Sequence, residues 1–288
     1  MTTVHPSPEV AAAHPARPRL RHRLIGVGFR DAERDRATIE WAVHDAVAGG
    51  DPLHLVHAYV PLRLDGCWWE PVTQARDARY LAARRVVAKG QQLVAATAAN
   101  VRCGGSTIAG LPQDVFVELS DIVDVIVIGD DSRAGGRGIT WRIQDTARCA
   151  VVCVPPTYTG LPDPRPVTLV VDDQGISESA LQFGAEHARR HGVTLEVSRS
   201  WSSLHDGPVD GPAWVAEQQE ELDAQLALWS DRHALPPIVA RIELDDDWLD
   251  SLRRGSSLLV AAGSAAPLLR TPPADPTAAC PVAVVPER

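Results

Sequence analysis

The feature that most constrains the fold is an internal repeat. The stretches "IEWAVHDAVAGGDPLHLVHAYVPL" and "LQFGAEHARRHGVTLEVSRSWSSL" each read as a helix, a short polar turn and a strand ending at an aromatic residue. Leu53 and Leu195 are 142 apart, as are Tyr59 and Trp201. Further along, "DIVDVIVIGDDS" matches "RRGSSLLVAAGSAA", with Gly129 and Gly263 separated by 134, and "CAVVCVPP" matches "CPVAVVPE", with Cys149 and Cys280 separated by 131. The shrinking separation marks a tandem duplication whose second copy has lost residues in its middle and near its end.

Each copy carries the same order of signals. The runs "LIGVG", "LHLVHAYV", "VIVIG" and "AVVCVP" are nearly continuous in Val, Ile and Leu, as strands buried on both faces of a parallel sheet must be. Helix-like segments lie between them, among them "RDARYLAARRVVAKGQQLVAATAANV" and "PAWVAEQQEELDAQLALWSDRHA". Alternation of this kind implies an α/β chain with two tandem open parallel sheets. Residues 1–20 read as a disordered tail and 21–156 as the first domain. The proline-rich 157–164 reads as a linker, and 165–288 as a second, shortened domain.

Composition narrows the function. The 28 Lys and Arg against 37 Asp and Glu leave a formal charge of -9, which disfavours nucleic acid or an anionic membrane as the main partner. No apolar run reaches the roughly 20 residues of a membrane span, and the N-terminus lacks the apolar core of a signal peptide, so the expected location is the cytoplasm. The five cysteines are odd in number and form no CxxC pair, so neither a disulfide framework nor a zinc site is indicated. Cys149 and Cys153 read as small buried hydrophobes.

The order "LIGVG", "ATIEWAV", "PLHLVHAYV", "DIVDVIVIG" and the two closing strands resembles the universal stress protein family in its tandem two-domain form, over residues 22–156 and 165–287. That resemblance implies a Rossmann-like, adenine-nucleotide α-hydrolase-like fold of five parallel strands per domain. It also implies a pseudo-dimer joined through the final strands. Self-association through those strands is the expected partnership, with the pairing of whole chains and the identity of any protein partner left open.

Many members of the family bind ATP through an Asp at the end of the first strand, usually followed by Gly-Ser, and a phosphate loop G-x2-G-x9-G-[ST] after the fourth. In the first half Gly28 of "GVGFR" stands where the Asp would be. In the second, Asp172 is present, with Asp173 and Gln174 in place of Gly-Ser. The first loop keeps Gly129 but has Ser132 at the second glycine and Arg142-Ile143 where Gly-[ST] belongs. Ser132, Arg133, Gly135, Gly136, Gly138 and Thr140 favour an anion there, and Asp130 and Asp131 oppose one. The second loop keeps Gly263 and then offers Pro272, Pro273 and Pro276, which lack the N–H groups a phosphate cradle requires.

The resemblance therefore implies a stress-response binding or regulatory protein with degenerate ATP motifs, no catalytic residues and no cofactor. ATP bound, or hydrolysed, at the Gly129–Thr140 loop is one alternative, and a purely structural scaffold is the other. No metal site is assigned: His187 and His191 of "EHARRH" are spaced to share an ion, but no third ligand is apparent, and they read as an exposed helix end suited to the C-terminal dipole. His54 and His57 fall on opposite faces of a strand. Trp68 and Trp69 read as cover for the sheet edge, and the acidic run Asp245–Asp250 as a solvated loop with a helix N-cap.

Overall fold

The computed structural model describes residues 22–61, 70–130, 138–159, 162–172, 175–200, 211–232, 236–243, 247–270 and 280–287. The first half runs β1 (Ile25–Gly28), α1 (Arg36–Gly49), β2 (Leu53–Tyr59), α2 (Glu70–Thr97), β3 (Cys103–Ala109), α3 (Pro112–Leu119), β4 (Val125–Gly129), α4 (Ile139–Thr146) and β5 (Ala150–Val154). The second runs β6 (Val167–Val171), α5 (Glu178–His191), β7 (Leu195–Ser200), α6 (Gly211–Arg232), β8 (Ile238–Glu243), α7 (Trp248–Gly255), β9 (Leu258–Ala262), a 3-10 turn (Ala266–Arg270) and β10 (Val282–Val285).

All ten strands form one sheet in the order β3-β2-β1-β4-β5-β10-β9-β6-β7-β8. Every pairing is parallel except β5 with β10, where the halves meet antiparallel. The order on one side of that seam is the mirror of the order on the other. Ala283 lies opposite Val152. These are counterparts in the repeat, 131 apart like Cys149 and Cys280, so a pseudo-twofold axis passes between them.

The strands are apolar throughout because both faces are covered. Ile25, Val27, Val152, Leu169 and Val260 are all essentially inaccessible to water. On one face a single apolar core runs across both halves and includes Trp41 of α1, Val152, Ala283 and Leu181 of α5. On the other face the cores are separate, one around Phe116 and Ile126, the other around Leu249 and Leu259. The helices α1 and α5 end alike, each stopped by a left-handed glycine, Gly50 and Gly192, both at φ 69°. Only glycine adopts that backbone without strain. Cys149 and Cys153 are buried, and the described cysteines carry free thiols.

The register of the sheet refines the repeat. Ile25 pairs with Leu53 and Val125, and Val167 with Leu195 and Leu258. Val125 therefore corresponds to Leu258, and Gly129 to Ala262 rather than to Gly263. Along β1 and β6 the 142-residue offset holds without a gap, so the first-half counterpart of Asp172 is Arg30, two residues beyond Gly28. The glycines of β1 leave no side-chain pattern to fix its register, and matching by residue type slips where matching by hydrogen bonds does not.

Candidate functional site

The carboxyl ends of β1 and β4 part around a crevice, the position where open α/β sheets place their ligands. It is lined by Gly28, Phe29 and Arg30 after β1, Asp35 before α1, Gly129 after β4, Phe116 of α3, and Ile139, Thr140 and Ile143 of α4. Of the residues the sequence marks for phosphate, Gly129 closes β4, Gly138 occupies the N-cap position of α4, and buried Thr140 donates a 3.4 Å hydrogen bond from Oγ1 to the Gly129 carbonyl. Ser132, Arg133, Gly135 and Gly136 lie outside the described residues. So do Trp68 and Trp69.

Asp172 is not part of this group. It directly follows β6, four strands from β4 and at the opposite edge of the sheet because the halves meet antiparallel, and it is buried and bridged to Gly175. Gly175, at φ 94°, turns the chain back over it.

Three residues of the crevice were not singled out by sequence. Asp35 is buried and holds the loop after β1. Its Oδ2 accepts the backbone N–H groups of Arg30 at 2.6 Å and Asp31 at 3.3 Å, while Oδ1 accepts from the Arg30 guanidinium at 3.1 Å. Where the second half has an acid, the first half thus has an arginine tied to an acid. The third residue is Phe116. A Cβ added to Gly28 would lie 2.3 Å from Phe116 Cζ, so the ring occupies the space that any side chain at position 28 would need. The ungapped offset between the halves, with "FRDAERD" set against "VDDQGIS", is the signal that leads to Arg30 and Asp35. Phe116 has no such signal, because its role comes from packing across the sheet.

The crevice encloses about 90 Å³ among the described residues. Pockets that bury a drug-sized ligand run to about 300–1,000 Å³. Among the described residues its fixed charges are Arg30 and Asp35, which pair with one another.

The second half fills the same place with side chains. Val170 stands for Gly28 and packs in one apolar cluster with Leu249 of α7. After β9 the chain turns through buried Ala265 into a 3-10 segment whose Ala266 and Leu269 are buried, and Ser264 donates to Glu287 at 2.7 Å. Backbone wound into such a turn and packed inward does not present converging N–H groups to an anion. The acidic run ends in Asp247 at the N-cap position of α7, but its side chain makes no capping hydrogen bond, and Asp250 pairs with Arg253 at 3.1 Å instead.

A second polar constellation lies where α1 and α5 meet. His187 is 4% exposed, which corrects its reading as part of an exposed helix end; His191 is partly buried. Trp41 stacks on the His187 ring at 5.6 Å, and His191 stacks on it at 4.3 Å. Asp45 of α1 faces both imidazoles, with Oδ1 at 3.2 Å from His187 Nδ1 and 3.2 Å from His191 Nε2. Burial opposes the charge on Asp45, but the Arg23 guanidinium and the two imidazoles outweigh it and hold the carboxyl well below the usual range. Burial also pulls His187 down to about 4, so its ring is neutral near pH 7. Arg23 binds Asp45 at 2.8 Å and Asp51 at 3.2 Å, and Arg190 reaches from α5 to Asp51 and Glu186.

No family model matches the chain. A universal stress protein of Mycobacterium tuberculosis is 26% identical over 269 residues, covering 86% of this chain and 89% of its own. One from Mycolicibacterium smegmatis is 27% identical over 243 residues, covering 76% and 78%. Among solved structures, a universal stress protein from Archaeoglobus fulgidus superposes with a TM-score of 0.63 at 13% identity, covering 92% of this chain and 96% of that one, which shows a shared fold. Among the described residues no helix is long and apolar enough to cross a membrane.

Proposed function

We propose that this chain, a tandem relative of the universal stress proteins, is a non-catalytic binding and regulatory protein of the stress response, acting in the cytoplasm, whose two crevices have both moved away from holding a triphosphate. The observation that carries this reading is the first-half crevice. Arg30, clamped by Asp35, takes the place that Asp172 has in the second half, and Phe116 fills the volume above Gly28. A nucleotide entering there would have to displace a buried aromatic ring and bring its phosphates near a buried carboxylate. Asp35 is already paired with Arg30, so drawing that arginine to the phosphates would uncover the carboxylate's charge beside them, at a cost of several kcal/mol at short range in partly desolvated surroundings.

The final strands β5 and β10 are each other's partner, which supports a self-association satisfied within one chain. The competing ATP-binding reading keeps Gly129, Gly138 and Thr140 at the same crevice. Both readings meet in one experiment. Calorimetric titration of the full chain with ATP, with and without Mg²⁺, is expected to give no saturable heat up to about 1 mM ligand, and phosphate release is expected to match the buffer blank. A micromolar dissociation constant that Arg133→Ala weakens tenfold would hand the site to ATP, and turnover above background would make the protein an enzyme.

A further inference from the structure

The junction of α1 and α5 holds more than a structural ion network. Asp45, His187 and His191 present three donor atoms within 4.8 Å of one another. Ligands about 2.1 Å from a tetrahedral ion sit about 3.4 Å apart, close to the 3.2 Å that separates Asp45 Oδ1 from each imidazole nitrogen. We propose that Asp45 Oδ1, His187 Nδ1 and His191 Nε2 form a binding site for a divalent transition-metal ion, of the Zn²⁺ or Co²⁺ class, at the seam between the two halves. The site is separate from both crevices and does not depend on the function proposed for them.

Three further observations point to a cation. His187 Nδ1 is buried, on a side chain 5% exposed, and forms no hydrogen bond although it lies 3.2 Å from a carboxylate oxygen. A buried ring nitrogen without a partner is rare, and a metal ion shared with the carboxylate would satisfy it. The charges of the network point the same way. Asp45, Asp51 and Glu186 face Arg23 and Arg190, so in this network the carboxylates outnumber the guanidinium groups by one. Lastly, His191 is the final residue of α5, where the helix dipole favours a cation.

The surroundings suit a metal centre. Two imidazoles and one carboxylate are the donor set of borderline divalent metals rather than of Mg²⁺ or Ca²⁺, which take oxygen. Arg23 fixes the orientation of Asp45 by binding its other oxygen at 2.8 Å, and Trp41 and Phe183 stack against His187 to hold the ring. His191, with a side chain 24% exposed, leaves a side open for water as a fourth ligand.

The site also sits on the pseudo-twofold axis. Asp45 and His187 are counterparts in the repeat, 142 apart, and counterparts that touch one another must straddle the axis. Divergence after duplication has made the pair unlike.

The test uses the full chain stripped of metal with a chelator and titrated with Zn²⁺ and Co²⁺ near pH 7.5. One equivalent is expected to bind with a dissociation constant below about 10 µM. Co²⁺ is expected to give the intense visible absorption of a four-coordinate ion, and the ring resonances of His187 and His191 are expected to shift together. His191→Ala lies at a helix end and leaves the core intact; it is expected to weaken binding at least tenfold. His187→Gln, checked for folding by circular dichroism, is expected to do the same. No saturable binding up to 1 mM metal would overturn the proposal and leave a proton as the balancing charge. So would tight binding that both substitutions leave unchanged, since it would lie at the other histidines of the chain.

Discussion

The two crevices descend from one design, and their floors have been packed by opposite means. In the first half a glycine on the strand, Gly28, is matched by a large residue on the covering helix, Phe116. In the second a larger strand residue, Val170, is matched by a smaller one, Leu249. Either pairing brings seven side-chain carbons into the layer, the kind of compensation a packed layer demands. The difference lies at the rim. The first half keeps a charged loop, Arg30 with Asp35, around an open crevice, whereas the second winds its loop into a buried 3-10 turn. Packing was conserved in both copies while the polar rim was free to change. The first half is therefore where any ligand chemistry remains.

That comparison can be broken most forcefully at the covering residues. Phe116→Ala is expected to cost about 3–5 kcal/mol in urea unfolding, as buried aromatic truncations do, and Leu249→Ala about 2–5 kcal/mol. If either costs less than about 1 kcal/mol, that layer is not what holds its half together. A sharper test grafts the second solution onto the first. Gly28→Val alone places its Cβ inside the Phe116 ring and is expected to destabilise by about 1–3 kcal/mol. Adding Phe116→Leu is expected to recover most of that loss, and a double variant no better than the single would show that the layers are not interchangeable. The smallest effect is expected at the rim itself. Gly129→Ala copies Ala262, and its Cβ meets Thr38 Oγ1 at 3.2 Å and Asp35 Oδ1 at 3.4 Å. A few tenths of an ångström of adjustment suffice there, so the thermal midpoint is expected to move by no more than about 3 °C, corresponding to about 1 kcal/mol for a chain of this size.

Much of the architecture was legible in the sequence because its cause is local. Strands buried on both faces need continuous apolar runs, and the repeat of those runs announces two matching sheets. The α/β class follows from that pattern, and the pairing of the two final strands was what the family resemblance implied. The register of β1 was not legible, since Gly26 and Gly28 offer no alternation, and Asp172 was matched to Gly28 rather than to Arg30. Gly129 and Thr140, singled out in the sequence, both line the crevice, but Phe116 was not foreseen, because it arrives from a helix that precedes β4. His187 shows the limit most plainly. Its polar neighbours on α5 suggest solvent, and the helix that buries it lies in the other half of the chain. Burial of that kind is a tertiary fact with no local signal.

The unlike pair on the axis has a consequence for the history of the molecule. A protein made of two identical subunits must repeat each residue across its twofold, so whatever faces the axis faces a copy of itself. If the first half paired with its own kind, Asp45 would meet a second Asp45, two carboxylates crowded against one another in a dry junction. If the second half did so, His187 would meet His187, with Arg190 on both sides and no Asp51 to receive either. Neither half retains a seam it can share with itself. Fusion made the asymmetry permissible, and the asymmetry in turn has made the fusion irreversible, a ratchet built from a handful of side chains.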